Sequence, residues 1–500
     1  MAKEQVAHVE VASSVGDSTA VKELSDDDSQ VGFSKPETSR LLRKLDRTLL
    51  PFLSLLYLLS FLDRANIGNA KLAGLEQDLN MTGYDYSASP PHGPIAVAIF
   101  FPFYVIAEVP SNMAMKRFRP SIWIPSIMVV WGFMTVMLGV VQSFGGLLAV
   151  RSLLGLAEGG LFPGITYYIT MWYRRHECGL RMAIFFSAAT AAGAFGGLLA
   201  RGIMEMQGVG RLSGWNWIFI LEGLVTFLVA LIAYRVMHDY PESVKFLSSE
   251  QKKEVVRRLK QDRSALSNEF KLSFAKDAWK DWKIWVHMFI TIGIYIPLYS
   301  VSVFLPTIVK GLGYTNEVAQ LMSVPPYAVA CLFTVGGGFL ADRHGQRGIY
   351  MIGFNIVAIL GFALLAGVQH HGVKYLACFL VTVGVYPNVP QGVAWNGNNI
   401  GGSLKRAVGI AMHVGFGNLG GAVSGFVFRQ ADAPRYLSGH LALVGTLSMS
   451  LVLSVFMTIH LRRENARRDA QHKPLAEYTN EEKLRESEMG DNATFFRYTV

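Results

Sequence analysis

Twelve long apolar runs constrain this chain more than any other feature of its sequence. Each run is long enough to cross a hydrocarbon layer of about 30 Å as an α-helix, which needs roughly 20 residues. The runs are continuous rather than amphipathic, so the sequence predicts an all-α membrane protein with twelve transmembrane helices. They lie near residues 48–68, 93–114, 121–142, 146–170, 181–203, 215–236, 284–308, 319–341, 348–368, 373–394, 406–428 and 438–460.

The composition agrees with a membrane protein and argues against a soluble or nucleic-acid-binding one. Hydrophobic residues make up 51% of the chain and charged residues 17%, whereas a soluble domain carries roughly a quarter charged residues. Glycine occurs 49 times, and small residues let membrane helices approach one another closely. The net charge of +9 collects beside the apolar runs, which is the pattern of membrane topology rather than of a nucleic-acid surface.

The positions of Lys and Arg predict the orientation, because positive charge concentrates in cytoplasmic segments. If the N-terminus is inside, the opposite loops hold only scattered charges such as Lys310 and Lys374. We therefore expect both termini in the cytoplasm, in a protein of the plasma membrane. The segments that become cytoplasmic hold Arg40, Arg43, Lys44, Arg47, Lys116, Arg117, Arg119, Arg174, Arg175, Arg343, Arg347, Lys405, Arg406, Arg462, Arg463, Arg467 and Arg468.

Charge and hydropathy divide the chain into five segments. Residues 1–45 are polar, Ser-rich and locally acidic, and they are predicted to form a disordered cytoplasmic N-terminus. Two six-helix bundles, 46–236 and 283–461, flank a charged cytoplasmic loop, 237–282, with an amphipathic helix predicted near 249–263. Residues 462–500 form a cytoplasmic tail. No secretory signal precedes the first apolar run, which is therefore predicted to be a retained anchor.

The two bundles resemble each other in sequence. Matching residues recur at one offset, between 223 and 226 positions, which indicates an internal duplication. Two parallel six-helix repeats are typical of a carrier whose binding site lies between its halves. The matches pair Pro163 and Trp172 with Pro387 and Trp395, Arg181 with Arg406, Gly196-Gly197 with Gly420-Gly421, and Lys116-Arg117 with Asp342-Arg343.

Six motifs give the chain a resemblance to a known family over about residues 45–470. They are Asp63-Arg64-Ala65-Asn66-Ile67-Gly68-Asn69-Ala70, Glu108-Val109-Pro110-Ser111-Asn112, the run from Arg151 to Gly159, Trp215-Asn216-Trp217-Ile218-Phe219 with Glu222-Gly223, Gly338-Phe339-Leu340-Ala341-Asp342-Arg343 and Ala394-Trp395-Asn396-Gly397-Asn398-Asn399. The chain resembles the major facilitator superfamily, and within it the fungal anion:cation symporters that include the allantoate, nicotinate and pantothenate permeases. The resemblance implies two rocking six-helix halves, with glycine-rich faces of helices 5 and 11 meeting between them.

The sequence departs from the family pattern in two places. The loop after helix 2, residues 115–119, lacks the acid of the superfamily's gating motif, so that motif is complete only at Asp342 and Arg343. Residues 87–94 are Pro-rich and look inserted, as an outer loop or an artefact of gene prediction. Asn80-Met81-Thr82 is also an N-glycosylation sequon on the predicted outer side.

Four charged residues stand out inside the apolar runs, where ionisable groups are costly and usually functional. Asp63 and Arg64 are in helix 1, and Arg151 and Glu158 are two turns apart on one face of helix 4. Arg is suited to bind a carboxylate through two hydrogen bonds, and a buried carboxyl group is suited to load and release a proton. By resemblance, Asp63 and Glu158 match proton-responsive acids and Arg64 a substrate-facing cation. The alternatives are a structural ion pair between Arg64 and either acid, a helix-end cap at the water interface formed by Asp63-Arg64, and a structural role for Arg151.

Four further polar or aromatic residues are predicted to contact substrate. Tyr104 on helix 2 is placed to reach the cavity with its hydroxyl, with aromatic packing as the alternative. Trp395 and Asn396 in helix 10 and Asn418 in helix 11 are placed to read the part of the substrate beyond its carboxylate. For Glu222 on helix 6, a family-wide acid, we favour a structural role.

These patterns predict a secondary transporter that imports a small organic carboxylate with a proton, nicotinate being the favoured example. An exporter of an acidic secondary metabolite and a non-transporting nutrient sensor are the alternatives. No phosphate loop, metal-ligand cluster or nucleophile constellation stands out, so we expect no enzyme, no metal and no cofactor. The predicted partners are a small carboxylate, a proton and the lipid bilayer, and the protein is predicted to be a monomer.

Overall fold

The computed structural model describes residues 32–79, 81, 95–96, 98–263, 272–314, 316–428, 435–471 and 489–500, with positions 432, 479, 482 and 486. The predictions for residues 1–31, for the Asn80 sequon and for the insertion at 87–94 lie outside these residues. Within them the fold is all-helical, without a β-strand, as the sequence predicts.

Twelve helical segments follow one another through the described residues. Short helices at Leu75–Asp78, Ser249–Arg263 and Leu272–Lys280 lie between them. The segments are α1 (Lys35–Leu72), α2 (Phe100–Arg117), α3 (Pro120–Leu138), α4a (Phe144–Glu158) with α4b (Leu161–Trp172), α5 (Cys178–Met204), α6 (Gly214–Val236), α7 (Trp282–Lys310), α8 (Asn316–His344), α9 (Gly348–Gly367), α10a (His371–Val385) with α10b (Asn388–Asn398), α11 (Ser403–Ser424) and α12 (Leu437–Gln471).

Ten of these segments are long and apolar enough to cross a membrane, judged over the residues that the structure describes. The other two are α2, which carries Glu108, Lys116 and Arg117, and α11, which is rich in glycine and carries Lys405 and Arg406. Both pack against the opposite half of the molecule, which places Glu108 of α2 at a protein interface. A low apolar content is therefore consistent with their position.

Four segments differ from the predicted boundaries. The fourth and tenth apolar runs are each divided into two helices, at Gly159-Gly160 and at Tyr386-Pro387. The first helix begins at Lys35, inside the segment predicted as the N-terminus, and α12 continues to Gln471, beyond the predicted end of the second bundle. A helix at Ser249–Arg263 lies where the charge pattern predicts one.

The helices form an N-half (α1–α6) and a C-half (α7–α12) that meet mainly through two helix pairs, with smaller contacts of α11 with α4b and of α10b with α5. The α2 helix packs against α11, and α5 packs against α8. The expected meeting of helix 5 with helix 11 is therefore wrong in its partners, although both helices do lie between the halves. A Cβ added at Gly421 would overlap the Phe101 ring, and one at Gly338 of α8 would lie 2.6 Å from the Ala183 Cβ of α5. Glycine thus permits the close approach of the two halves at both pairs.

Candidate substrate and coupling site

The Glu158 carboxylate holds two groups of α1 at the end of α4a. Its Oε1 accepts hydrogen bonds from Arg64 Nε at 2.7 Å and from Ser60 Oγ at 2.5 Å. Ser60 and Arg64 are four residues apart and so lie on one face of the helix. The Glu158 side chain is fully buried and that of Arg64 is 10% exposed. This pair is one of the structural alternatives that the sequence left open, and it leaves part of the guanidinium free.

From Arg64, a continuous hydrogen-bond chain crosses into the C-half. Arg64 Nη1 donates to the Tyr299 hydroxyl at 3.3 Å, and that hydroxyl donates to Asn418 Oδ1 at 2.6 Å. Asn418 Nδ2 then donates to Glu108 Oε1 at 2.9 Å, which returns the chain to the N-half. The hydrogen bonds thus run from Arg64 towards an acid on each side. Arg64 donates directly to Glu158, and on the other side Tyr299 and Asn418 donate onwards to Glu108. The chain thus connects the charged groups of α1 and α4a with the interface between α2 and α11.

Aromatic rings form one wall beside the two arginines. The Cζ atom of Arg64 lies 4.6 Å from the centre of the Tyr104 ring and 5.6 Å from that of Phe100. The Cζ atom of Arg151 lies 5.8 Å from the same Phe100 ring. A cation over an aromatic face is attracted by the ring quadrupole, and more strongly when both are away from water. Phe100, Tyr104, Arg64 and Arg151 therefore form one buried cationic and aromatic surface.

Several polar atoms of this surface have no hydrogen-bond partner among the described residues. They are Arg64 Nη2, Arg151 Nε and Nη1, the Tyr104 hydroxyl, and one carboxylate oxygen each of Glu108 and Glu158. Buried donors without partners are unfavourable, so such groups are expected to bind a ligand or water in the working protein. The unpaired atoms include donors and acceptors, and the donors belong mainly to the two arginines.

Asp63 lies apart from Arg64, although the two are neighbours in the sequence. Successive residues of a helix point about 100° apart. Asp63 faces α6, where its Oδ2 accepts a hydrogen bond from Thr226 Oγ1 at 3.3 Å. One turn along, Asn66 Nδ2 donates to Glu222 Oε2 at 2.6 Å. Asp63 and Glu222 thus belong to a second polar cluster that lies wholly within the N-half.

Trp395 and Asn396 are not brought together with Arg64. The Trp395 indole N–H donates to the carbonyl of Thr499 at 2.9 Å, near the C-terminus. The Asn396 amide donates to the carbonyl of Gly409 on α11 at 3.2 Å. Of the residues predicted to bind substrate, Arg64, Tyr104, Arg151 and Asn418 lie around one site, and these two lie at the predicted cytoplasmic end.

The motif residues Asp342 and Arg343 occupy different surroundings at the predicted cytoplasmic end. Asp342 pairs with Arg347 at 2.5 Å, and its other oxygen accepts the backbone N–H of Leu180 at 2.7 Å. Leu180 is in the first turn of α5, where unpaired N–H groups favour an anion. Asp342 therefore ties α8 of the C-half to α5 of the N-half, while Arg343 is exposed.

Three site residues were missed from the sequence. Glu108 follows Tyr104 by four residues, so its helical spacing with an aromatic candidate was a usable signal. Ser60 likewise precedes Arg64 by one turn, but a serine in an apolar helix is common and carries little information. Tyr299 lies in a run with other tyrosines, and nothing in the sequence singles it out.

The fold and site together define a class of protein. Two six-helix halves enclose buried charged groups, and one hydrogen-bond chain joins those groups across both halves. This is the arrangement of a membrane carrier with a site between its repeats. A family model described as "Major Facilitator Superfamily" matches residues 53–425, so the chain belongs to that superfamily and is a multi-pass membrane transporter.

Curated fungal transporters are similar to most of the chain. A Schizosaccharomyces pombe protein named only as an uncharacterised transporter is 36% identical over 87% of this chain and 86% of its own length. The MFS-type transporter cnsO of Penicillium expansum is 35% identical over 94% of this chain and 92% of its own. The major facilitator-type transporter hxnP of Emericella nidulans is 32% identical over 86% and 87%. These names establish the family without giving a substrate.

Solved structures support the same fold. The proton:xylose symporter XylE superposes with a TM-score of 0.60 at 15% identity, over 82% of this chain and 96% of that one. A bacterial homologue of the lysosomal transporter Spinster superposes with a TM-score of 0.55 at 18% identity. At such identities the likeness extends to the fold alone.

Proposed function

We propose that this transporter imports a small organic carboxylate together with a proton, with nicotinate as the favoured substrate. The observation that carries the proposal is the state of Arg64. Its Nε is engaged by Glu158, its Nη1 is held only at 3.3 Å by Tyr299, and its Nη2 has no partner among the described residues. The Nη1–Nη2 edge of a guanidinium can bind a carboxylate by donating two parallel hydrogen bonds to it.

The charge and shape of the surroundings favour a planar anion. Beside the aromatic rings, Arg64 and Arg151 lie with one paired acid, Glu158, so the site carries a net positive charge whenever Glu108, at the interface between α2 and α11, is protonated. The Phe100 and Tyr104 rings beside the arginines offer flat apolar faces to an aromatic ring. A pyridine carboxylate such as nicotinate satisfies both requirements, because its charge and its ring lie in one plane.

Proton coupling is proposed because buried acids share the substrate's cation. A proton on Glu158 would remove the negative charge that competes with the incoming carboxylate for Arg64. Asp63 is the second coupling candidate, and it would act through the α1–α6 cluster rather than by contact with Arg64. Groups of this kind inside a membrane protein are costly to keep and mark ion or proton pathways.

The remaining parts of the proposal concern the setting of the transporter. The Lys and Arg pattern supports cytoplasmic termini, and we propose a monomer in the plasma membrane. Alternating access would proceed by rocking of the two halves, with Asp342 at the predicted cytoplasmic gate and with Arg343 of the same motif exposed beside it.

Radiolabelled uptake tests the proposal directly. Cells lacking endogenous uptake would express the transporter and receive nicotinate, pantothenate or allantoate at an acidic and at a neutral external pH. Nicotinamide, which keeps the ring and loses the charge, is the matched control. We expect accumulation of a carboxylate that rises with external acidity and is absent for nicotinamide. If cells that express the transporter contain less of the carboxylate than cells without it, the protein would instead be an exporter. A signalling response without any flux of the carboxylate would support a sensor.

A further inference from the structure

Glu108 is a buried acid that the sequence motifs did not single out for function. Its carboxylate is fully buried, and one oxygen accepts the Asn418 amide across the interface between the halves. The other oxygen has no partner among the described residues. It lies against Gly415 of α11, where an added Cβ would overlap it. The glycine at position 415 therefore leaves room for the Glu108 carboxylate between α2 and α11.

The groups around Glu108 differ from those around the other buried acids. Glu158 is paired with a cation, and Asp63 and Glu222 bond within the N-half. Among these four acids, Glu108 is the one whose described hydrogen-bond partner belongs to the other half. The titratable and charged groups that face it are Tyr104 on its own helix, Arg64 on α1, and Tyr295 and Tyr299 on α7, while α11 presents the neutral Asn418.

Two consequences follow from this position. Rocking of the halves changes the environment of Glu108, because α11 moves relative to α2. The charges of Arg64 and Arg151 also balance those of Glu158 and Glu108 when both acids are ionised. A proton on either acid leaves one positive charge in excess, which a monocarboxylate neutralises, and Glu108 is the one of the two whose surroundings change when the halves move. In a low-dielectric site this balance favours binding the proton and the anion together.

We propose that Glu108 carries the transported proton, and that its contact with Asn418 couples proton release to separation of α2 from α11. This inference rests on the proposed function and deepens it. A carboxylate at Arg64 would displace the Tyr299 hydroxyl, because the hydrogen bond from Arg64 to Tyr299, at 3.3 Å, is the longest in the series that links Arg64 to Glu108. Asn418 would then lose the donor that positions it, and its bond to Glu108 would loosen.

Transport assays on the protein reconstituted in liposomes distinguish a proton-carrying role of Glu108 from a merely structural one. Glu108→Gln keeps an oxygen that accepts from Asn418 but cannot ionise, while Glu108→Asp keeps the acid. Radiolabelled nicotinate, or the carboxylate of the uptake panel that the wild type accumulates most, is followed in two assays. One is accumulation driven by a proton gradient, and the other is counterflow exchange without a gradient. We expect Glu108→Gln to lose the first and keep the second, and Glu108→Asp to keep part of both.

Other outcomes have distinct meanings. Gradient-driven accumulation by Glu108→Gln, or loss of counterflow with it, would overturn the role of Glu108 and leave the proposed function intact. Absence of gradient-driven uptake in the wild type would instead overturn the proposed function itself. If Glu108→Gln does not fold, dicyclohexylcarbodiimide labelling of the wild type decides. We expect modification of Glu108, found by mass spectrometry, that nicotinate or the most accumulated carboxylate suppresses. An unmodified Glu108 would contradict the proposal.

A separate observation concerns the C-terminal strap, residues 490–500, which is seated on the predicted cytoplasmic end. Asp491 is fully buried between two ammonium groups, Lys283 at 2.5 Å and Lys405 at 2.6 Å. Arg468 donates from Nη1 to three carbonyl oxygens of the strap, at 2.9 to 3.1 Å. A Cβ added at Gly401 would overlap the strap backbone, so the contact is close.

The last two residues of the strap reach the groups that join the halves. Thr499 exchanges hydrogen bonds with Asn399, and the Val500 carbonyl accepts the backbone N–H of Arg347 at 2.5 Å. Arg347 is the partner of Asp342, which binds the first turn of α5.

The strap also touches the N-half directly. The Phe496 ring centre lies 4.9 Å from the Cζ atom of Arg175, in the connection between α4b and α5. The strap thus contacts both halves at one end.

The geometry points to a second inference, which does not depend on the substrate. The strap is an intramolecular latch that holds the predicted cytoplasmic ends of the two halves together. Its contact with the N-half must break before this end can open, because Phe496 and Arg175 separate when the halves rock apart, and loss of the strap's seat on the C-half would loosen that contact. A ligand or modification that displaces the strap would therefore change the rate of transport without touching the Arg64 site.

Native Cys178 offers a readout of this latch that needs no substrate. It is buried at the start of α5, two residues before Leu180. In a background with Cys331→Ser and Cys378→Ser, we would measure its labelling by a water-soluble maleimide in the purified protein. Deletion of the strap and Asp491→Asn are both expected to speed labelling severalfold, whereas Asn492→Ala, at an exposed strap position, is not. Unchanged labelling in Asp491→Asn and in a folded deletion would overturn the latch.

Discussion

Arg64 on α1 donates from Nε to Glu158 on α4a at 2.7 Å, and both side chains are largely shut off from solvent. A buried charge that loses its partner is strongly destabilised, so each residue of this pair constrains the other. The pair leaves the outer edge of the guanidinium for another anion. Binding of a carboxylate and protonation of Glu158 are therefore expected to be linked through one shared cation.

Replacing Arg64 by Lys tests the need for a guanidinium. Lys keeps the charge and can still pair with Glu158, but it cannot bind a carboxylate through a planar fork. Loss of one charge-assisted hydrogen bond costs about 1.5–3 kcal/mol, so we expect carboxylate affinity to fall by roughly 10- to 100-fold. Competition binding with the purified protein measures this change. Affinity equal to that of the wild type would show that substrate does not bind at Arg64.

Asp63→Asn and Glu158→Gln are expected to differ in their effect on affinity. Glu158 contacts Arg64, whereas Asp63 lies in the α1–α6 cluster with Thr226. Independent sites add within about 0.5 kcal/mol, so Asp63→Asn should change the carboxylate dissociation constant by about twofold or less. Glu158→Gln should change it more and should weaken its dependence on pH. A titration of binding at several pH values compares them, and the reverse ranking would contradict this assignment.

Gly415→Ala is expected to disturb the interface between α2 and α11. The added Cβ would overlap the Glu108 carboxylate, so either the acid or the helix must move. Overpacking of a tight site costs about 1–3 kcal/mol. We expect a lower melting temperature and reduced transport, followed by fluorescence-detected unfolding and uptake. Gly425→Ala at the C-cap of α11, where an added Cβ meets nothing within 4 Å, is the matched control and should behave as wild type.

The two residues of the predicted gating motif should respond differently to substitution. Asp342→Asn loses the ion pair with Arg347 and weakens the bond to the Leu180 N–H, while Arg343→Ala removes an exposed side chain. The first change removes about 1–3 kcal/mol of inter-half contact, and the second is expected within about 0.5 kcal/mol of neutral. Both variants are compared with the wild type by their transport rates and by their rates of Cys178 labelling. Equal effects would show that Asp342 does not join the halves.

The seating of Asp491 predicts how the strap responds to pH. Burial opposes ionisation of this carboxyl, but the Lys405 and Lys283 ammonium groups outweigh it and hold the pKa of Asp491 below its ordinary value. A depressed pKa stabilises the seated strap above the ordinary value of about 4, and this stabilisation is lost as pH falls through the lowered pKa. The protection of the amides of residues 490–500 against hydrogen exchange, taken relative to their intrinsic rate at each pH, should therefore stay high at neutral and mildly acidic pH. Protection that is lost well above pH 4 would contradict this seating.

The fold was largely predictable because each membrane helix leaves a long apolar run in the sequence. The helices α2 and α11, which are not apolar enough to be assigned as membrane spans on composition alone, were still recognisable by length and by the internal repeat. Their partners were not, because the pairing of α2 with α11 and of α5 with α8 depends on packing between distant segments. The breaks in α4 and α10 were also missed, since the Gly159-Gly160 and Tyr386-Pro387 steps interrupt otherwise apolar runs.

The site was predictable where charge stands out against an apolar helix. Arg64, Arg151 and Glu158 were found in this way, and the structure places them around one surface. The direction of Asp63 was not predictable, because adjacent residues of a helix face different neighbours. Tyr299 gains its place from a chain of contacts between residues more than 100 positions apart, which a single sequence does not show, whereas Glu108 lies in an apolar run one turn after Tyr104 and was overlooked.

Accumulation of radiolabelled nicotinate by the reconstituted wild type tests the central claim most directly. Liposomes acidic outside and neutral inside would be compared with liposomes without a gradient, and nicotinamide would be followed in parallel. Carboxylate binding at Arg64 with proton coupling predicts accumulation of nicotinate above equilibrium only with the gradient, and none for nicotinamide. Accumulation that ignores the gradient, or equal uptake of the uncharged amide, would contradict it.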